Sequence, residues 1–424
     1  MQRMNKSLQV ASDTSRSTTS TPSTYADRTG MNSPAEKSTR QKLLFIALLA
    51  LVLRIGFSLV YQGHSASADE RHWDALGVAF WQEGLLSEKA GTYRPPLYPL
   101  LMAITYSIGD HQPMLIEIWQ ALLWAATCAL AYEFARRCGG EQVGLLAAGG
   151  VAFYPFFIFL SSTLMAESLL IFLSSCALVL AMRLEENPVP RNAVLLGAVL
   201  GLGGLCKPVL LAWVPLLLWG WWRRAEIPQK NKLASALICL AAMMLVIAPW
   251  TGRNMIATGY PVPISTNLGI NLLIGHEAEA TGSYRDDVNY LELYDQLVLP
   301  ERDPVLRDRI ATRTILGQMA ADPLRTVELG LHKVLLLWSP TVTGESGWRN
   351  GLALLSSGPL LLLGLAGMWQ LRGSAAGWIV ASLVLSLTAV HILIFSHTRF
   401  RLPIDAALMG PAALSLVEVW RRRT

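Results

Sequence analysis

Charge is what this chain has little of. Only 15% of its 424 residues are Asp, Glu, Lys or Arg, against 52% hydrophobic, whereas soluble domains carry about 25% charged residues. The deficit excludes an ordinary water-facing globule and points to lipid as the main solvent. Cysteine is scarce as well. Cys128, Cys138, Cys176, Cys206 and Cys239 fall in or beside apolar runs, which excludes a disulfide framework and a cysteine-spaced metal site. No internal repeat is visible. The N-terminus lacks the charged, then apolar, then small layout of a cleaved signal peptide, so the run from Leu43 to Tyr61 reads as a retained anchor. The formal charge of +5 says little about nucleic acid, because most Lys and Arg sit at the ends of apolar runs.

What the chain has in abundance is apolar runs of about 15–22 residues, close to the roughly 20 that a helix needs to cross the hydrocarbon core. Hydropathy marks ten candidate spans, at 43–61, 114–135, 143–162, 168–183, 192–206, 208–222, 233–250, 351–371, 376–395 and 402–420. The expected fold class is an all-α polytopic membrane protein of about ten (10–12) transmembrane helices. Two further segments, 95–109 and the amphipathic 325–338, are ambiguous. Short loops rich in Lys and Arg stay in the cytoplasm. With ten spans, Lys37/Arg40/Lys42, Arg136/Arg137, Arg183/Arg191, Arg223/Arg224/Lys230/Lys232, Arg372 and Arg421–Arg423 share one side. If 95–109 also crossed, the Arg136, Arg183 and Arg223 loops would flip. That proline-rich stretch is therefore expected as a helix on the outer surface, since prolines start helices well and interrupt their interiors.

This topology divides the chain. Residues 1–39 are rich in Ser, Thr and charge and almost free of apolar side chains, so they are expected to form a disordered cytoplasmic tail. Residues 40–250 form an N-terminal transmembrane module with a first outer loop at 62–113. Residues 251–350, too long for a plain connector, form a small extracytoplasmic helical subdomain. Residues 351–424 are the C-terminal transmembrane helices.

Positive charge on the outer face is the anomaly. Arg94 lies in "TYRPPLYP", Lys207 in "LCKPVLL", Arg253 in "PWTGRN", and Arg399 and Arg401 in "SHTRFRLPID". Any one of them alone reads as a snorkelling helix anchor. Five together, against the charge rule, call for a bound anion, and a lipid phosphate at headgroup level is the natural candidate. Negative charge recurs there too. Asp69 and Glu70 follow the first span in "SADERHWDA", and Glu167 in "LMAESLL" opens the fourth. Solvated loop polarity accounts for the first pair as well as function does, and capping alone explains a carboxylate at a helix N-terminus. A carboxylate beside a membrane-bound phosphate also suits general-base work on an acceptor hydroxyl. Carboxylates and cations at one lipid–water boundary fit group transfer from a phosphate leaving group.

Other motifs fall away. His276 and Glu277 are two neighbours without further ligands, read as loop polarity rather than as a metal pair. "GLGG" at 201–204 lies inside a span, where small residues let helices approach. Trp219, Trp221 and Trp222 form an interfacial aromatic belt.

The order of these motifs resembles a known family. The Asp69–Glu70 pair, Trp73 three positions on and "YRPPLYPL" some twenty residues later are similar to the first outer loop of the GT-C membrane glycosyltransferases. The branch is glycosyltransferase family 39 and its bacterial relatives, which include protein O-mannosyltransferases and lipid A aminoarabinose transferases. "AES" at 166–168 resembles the family's second acidic position after the third span. "LCKPVLLAWVPLLLW" is similar to its Lys-Pro-containing span pair, and "RFRLPID" to the start of its last helix. "NLLIGHEAEATGSY" at 271–284 looks like the outer loop after the seventh span. The likeness covers roughly residues 43–420.

What the resemblance implies is a GT-C architecture with outer-face juxtamembrane helices, acting on a polyprenyl-phosphate-sugar donor outside the cytoplasmic membrane. It gives Asp69 the position of the catalytic carboxylate and Glu167 the second acidic position, supporting acceptor binding or orientation. Arg94 takes a donor-phosphate contact, with Lys207, Arg399 and Arg401 as further phosphate-binding candidates. Glu70, Trp73 and Tyr93 complete the set as substrate contacts. His72 and Trp73 depart from the Arg-Tyr of the aminoarabinose branch, and a large extra lumenal domain of the eukaryotic mannosyltransferase kind is absent, so neither sugar is assigned.

The expected activity is transfer of a hexosyl or pentosyl unit to a hydroxyl of an envelope glycan, lipid or protein. No cofactor, metal or nucleic acid is called for, since Arg and Lys neutralise the phosphate. The active site is expected outside the plasma membrane, with both termini in the cytoplasm. One rival is a transporter or flippase for a lipid-linked sugar, which would place charge near the midplane and show repeated halves. The other is a non-catalytic partner in envelope polysaccharide export.

Overall fold

The computed structural model describes residues 34–61, 66–87, 91–223, 228–342 and 347–423. Residues 1–33 of the tail lie outside the described residues, while 34–39 belong to the first helix. Every regular element among the described residues is helical. The first half of the chain contains α1 (Pro34–Tyr61), α2 (Ala68–Gln82), α3 (Leu97–Gly109), α4 (Pro113–Gly139), α5 (Glu141–Phe153), α6 (Pro155–Leu160), α7 (Glu167–Glu186), α8 (Pro190–Cys206), α9 (Trp213–Trp222) and α10 (Gln229–Thr258). It continues with α11 (Leu268–His276), α12 (Tyr290–Val298), α13 (Pro304–Ala321), α14 (Pro323–Trp338), α15 (Trp348–Gln370), α16 (Ala375–Leu393) and α17 (Leu402–Arg421). Short 3-10 turns at Pro208–Ala212 and Thr398–Arg401 lead into α9 and α17.

Seven helical stretches among the described residues are long and apolar enough to cross a membrane: α1, α4, α7, α10, α15, α16 and the turn-plus-α17 unit. Three of the ten runs expected as spans are shorter, and proline explains where they end. A residue before proline is pushed out of the helical region. Tyr154 before Pro155 is extended (φ −65°, ψ 119°) and divides 143–162 into α5 and α6. Lys207 before Pro208 is extended as well (φ −150°, ψ 118°) and ends α8. The 13 residues of α3 extend about 20 Å, short of the ~30 Å hydrocarbon core.

The break at Pro155 removes a helical donor, and a buried arginine replaces it. Arg54, in the middle of α1 and wholly buried, donates through Nη2 to Val151 O (2.9 Å) and through Nη1 to Ala152 O and Ala50 O (3.1 Å each). Its guanidinium also lies over the Trp124 ring, 5.1 Å from the centroid. A buried acceptor left without a donor costs about 1–3 kcal/mol. Arg54→Leu should therefore lower the thermal unfolding midpoint in detergent by several degrees, without changing affinity for a lipid phosphate. An unchanged midpoint would show that the carbonyls find other donors.

The centre of the bundle is α17 with α7, whose apolar windows are 83% and 72% buried, while α1 at 17% is peripheral. Small residues allow the closest crossings: a Cβ on Gly201 of α8 would stand 2.8 Å from Met243 O of α10. The segment after α10 forms four helices with an apolar cluster of Ile270, Leu273, Ile274, Tyr290 and Ile315, joined by Ile394 from beyond α16. α10 itself runs past the expected border at 250, to Thr258. Helix direction puts the starts of α7 and α17 at one end of the bundle and their basic last turns, Arg183 and Arg421, at the other.

Candidate functional site

Five of the charged residues read from the sequence meet at one end of this bundle. The first turn of α2 places Asp69, because Ser67 and Glu70 form a reciprocal capping box that fixes the helix start. Glu70 Oε2 accepts from Ser67 N (2.9 Å), and its Oε1 accepts from Leu164 N (3.1 Å). Expected as a substrate contact, Glu70 is a buried tie between α2 and the segment before α7. The far side of α2 is held by Asp74, which accepts from the Tyr106 hydroxyl (2.5 Å) and pairs with His111 (2.9 Å).

Asp69 bridges two arginines. Arg94 Nη2 donates to Oδ1 at 2.5 Å, and Arg399 Nη2 to Oδ2 at 2.6 Å. Arg399 Nε reaches towards Glu167 Oε1 (3.5 Å), and that oxygen accepts from Lys207 Nζ at 2.7 Å. Glu167 opens α7, and Lys207 sits at the pre-proline break after α8. Three cations interlock with two carboxylates, and the buried Glu70 carboxylate lies near enough to act on Arg399 as well. The Asp69, Arg94, Lys207 and Arg399 side chains are 20–31% exposed, whereas Glu167 is 2% exposed. The cations thus reach solvent, and Glu167 backs them from inside. Arg94 Nε and Glu167 Oε2 have no hydrogen-bond partner.

Aromatic faces line the cations. Arg94 lies 4.7 Å from the Trp73 ring centroid and 5.5 Å from that of Tyr93, and Lys207 and Arg399 flank Phe400 (5.5 and 5.2 Å). Burial pushes the Asp69 carboxyl up, but Arg399, Arg94 and Lys207 outweigh it and hold it well below the usual carboxylate range. His397 was not singled out in the sequence. Its Nδ1 accepts from Arg399 N (3.1 Å) and caps the 3-10 turn. Burial, then the neighbouring Arg399, keeps this imidazole near a pKa of about 4, neutral and able to accept.

Arg401, expected beside Arg399 as a phosphate contact, lies elsewhere. Side chains two apart on a 3-10 turn point about 120° apart. Arg401 is wholly buried, pairs with Asp405 (2.9 Å), and donates to Leu337 O (3.2 Å) and to Ser339 O. Asp405 also accepts from the Tyr154 hydroxyl (2.9 Å), which ties the pair to the break between α5 and α6. Arg253 is likewise turned to backbone, donating to Leu85 O (2.6 Å) and Gly91 O (2.7 Å) and so bracing the approach to Arg94. His276 and Glu277 diverge: His276 Nε2 is bonded to Leu393 O (2.8 Å), and Glu277 faces Arg285 (4.0 Å).

Known structures share this architecture. The oligosaccharyltransferase of Archaeoglobus fulgidus in its apo form superposes with a TM-score of 0.56 and 16% identity, over 91% of this chain and 51% of that one. AglB from the same organism, in complex with an inhibitory peptide and a dolichol-phosphate, matches with a TM-score of 0.54 and 16% identity, over 92% and 51%. The chain has the GT-C fold of membrane glycosyltransferases. It spans about half the length of the chain in each of those structures. A looser match is ArnT from Cupriavidus metallidurans bound to undecaprenyl phosphate, with a TM-score of 0.45 and 14% identity over 90% of this chain and 78% of that one. Residues 93–251 match the family model of dolichyl-phosphate-mannose-protein mannosyltransferases. No curated protein matches the sequence. Within the GT-C frame, the matched segment begins at Tyr93 and takes in Arg94, Glu167 and Lys207.

Proposed function

We propose that the chain is an integral-membrane glycosyltransferase that moves a hexosyl or pentosyl unit from a polyprenyl-phosphate-linked donor to an acceptor hydroxyl of a glycan, lipid or protein. The observation that carries the reading is the Asp69–Arg94–Arg399–Glu167–Lys207 cluster, whose three cations are part-exposed, at one end of a GT-C helix bundle. The match to the dolichyl-phosphate-mannose-protein mannosyltransferase family and the dolichol-phosphate bound by AglB support a lipid-phosphate donor.

In this mechanism the acceptor oxygen attacks the anomeric carbon, and Asp69 takes its proton. The bond from the anomeric carbon to the phosphate oxygen breaks, and polyprenyl phosphate leaves with the electron pair. Arg94, Arg399 and Lys207 stabilise the charge that develops on it. A single displacement inverts the anomeric carbon. Asp69 is a weak base while both arginines hold it. A phosphate that shares Arg94 and Arg399 loosens that hold and raises the basicity of Asp69, so the base is released when the leaving group is in place. Glu167 orients Lys207 and Arg399 from behind.

The active face is assigned to the extracytoplasmic side of the plasma membrane, with both termini in the cytoplasm, because the basic last turns of α7 and α17 lie at the opposite end from the cluster. Single cysteines introduced beside Arg94 and Arg399 should react with an impermeant thiol reagent from outside intact cells, and Cys138 should not. Labelling of residues 136–142 from outside would reverse the assignment. The activity itself is tested by incubating the purified protein with labelled polyprenyl-phosphate sugars and acceptors. Release of free polyprenyl phosphate is the expected result. An unchanged donor that crosses the bilayer would instead make the protein a flippase.

A further inference from the structure

The segment that carries Arg399 leaves α16 at Leu393, and the last carbonyls of a helix have no partner within it. Here two side chains from other elements meet them. His276, the last residue of α11, places Nε2 2.8 Å from Leu393 O, and Lys333 of α14 places Nζ 3.2 Å from Ile392 O. The two also touch each other, Nζ to Nε2 at 2.8 Å. Lys333 has no solvent exposure and His276 only 7%. A buried ammonium is costly unless acceptors surround it, so a lysine in this place needs a reason.

The seat is tight and continues towards the site. A Cβ on Gly275 would stand 2.2 Å from Ile394 O and 3.0 Å from Lys333 Nζ. One on Gly282, whose φ is +84°, would stand 2.9 Å from the Lys333 stem. Gly282 O accepts from Ser396 N (2.8 Å), and the Thr398 hydroxyl donates to Thr341 O (3.3 Å). From Ile392 to Thr398 the chain is thus fastened to α11, the turn after it, α14 and the turn after that. The next residue is Arg399. Burial, then the neighbouring ammonium, holds His276 near a pKa of about 4, and burial lowers Lys333 to about 7. A neutral Nε2 either donates to Leu393 O or accepts from Lys333, while Lys333 donates to Ile392 O with a proton of its own.

We infer that Lys333 and His276 are positioning residues for Arg399: by fixing where the chain leaves α16, they set where the guanidinium meets the donor phosphate. The functional half of this inference rests on the proposed transfer reaction, whereas the fastening of the segment is a property of the fold.

The test uses the full-length protein in lipid nanodiscs with undecaprenyl phosphate as the probe, and compares His276→Leu and Lys333→Met with His276→Gln. The glutamine amide supplies both a donor for Leu393 O and an acceptor for Lys333. His276→Leu and Lys333→Met should each weaken lipid-phosphate affinity about tenfold or more, the scale of one displaced charge-assisted hydrogen bond. They should also speed amide exchange across residues 394–400. His276→Gln should restore both to within about threefold of wild type. Should Lys333→Met not fold, the two His276 variants decide alone. Unchanged exchange in His276→Leu would overturn the fastening, and faster exchange with unchanged affinity would overturn the link to Arg399. A glutamine variant as defective as the leucine one would also overturn it. If the wild type shows no saturable binding of the probe, the lipid-phosphate reading fails, and the exchange comparison still decides the positioning.

Discussion

Asp69→Asn should lower turnover about 10²–10⁴-fold, the range general-base catalysis contributes, while the protein still inserts and still binds a lipid phosphate. Asparagine keeps the shape of the side chain and cannot take a proton. It also frees Arg94 and Arg399 from the carboxylate that each holds at 2.5–2.6 Å, so affinity for undecaprenyl phosphate should hold or rise. A residue that served only to hold the fold would not separate the two measurements in this way. The pH dependence has a matching sign. Asp69 is held below the usual carboxylate range, and below the ~3.9 of an unfolded Asp. Its ion pairs therefore contribute stability above about pH 4 and lose it as pH falls through the folded value. The acid limb of kcat/KM, which reports the free enzyme, should lie below the ordinary carboxylate range. The acid limb of kcat should lie higher, because there the phosphate shares the arginines. Near-normal turnover of Asp69→Asn at neutral pH would move the base to another carboxylate, Glu167 first.

How much of this was legible in the sequence depends on the range of the interaction. Asp69, Arg94, Glu167 and Lys207 stood out because charge at the edge of an apolar run is rare enough to be noticed one residue at a time. Their convergence is a matter of helix direction, which alternates from span to span and brings the starts of α7 and α17 to the same end. Arg399 and Arg401 looked alike because a string of letters does not carry the 3-10 turn that separates them. Glu70 was open to a better reading: Ser67 stands three residues before it, the spacing of a capping box, and that pattern assigns its carboxylate to backbone. The same holds for Pro155, which marks the break within the run at 143–162. By contrast, Lys333 and His276 are 57 positions apart, and neither lies in a motif that anticipates the other. Such a pair emerges only once α11 and α14 have packed against the end of α16.

The two arginines on Asp69 should not be equivalent. Arg399→Ala should weaken donor use more than Arg94→Ala, although both give up a hydrogen bond to the same carboxylate. Arg94 contacts Asp69 and rests on the Trp73 and Tyr93 faces. Arg399 joins Asp69 to Glu167, so its loss leaves the 2% exposed Glu167 carboxylate to Lys207 alone. Charge-assisted hydrogen bonds contribute about 1.5–3 kcal/mol each, which puts Arg94→Ala roughly ten- to a hundredfold down in affinity for undecaprenyl phosphate. Arg399→Ala should lie at or beyond the upper end of that range. Arg94→Lys separates recognition from anchoring. An anchor needs a long stem and a positive head, which lysine supplies; a planar fork on phosphate oxygens is lost when the guanidinium is replaced. Arg94→Lys should therefore fall between wild type and Arg94→Ala, with all three expressed at similar levels. Equal affinity across the Arg94 series would make Arg94 a helix anchor. The leaving phosphate would then rest on Arg399 and Lys207, the two cations that share Glu167.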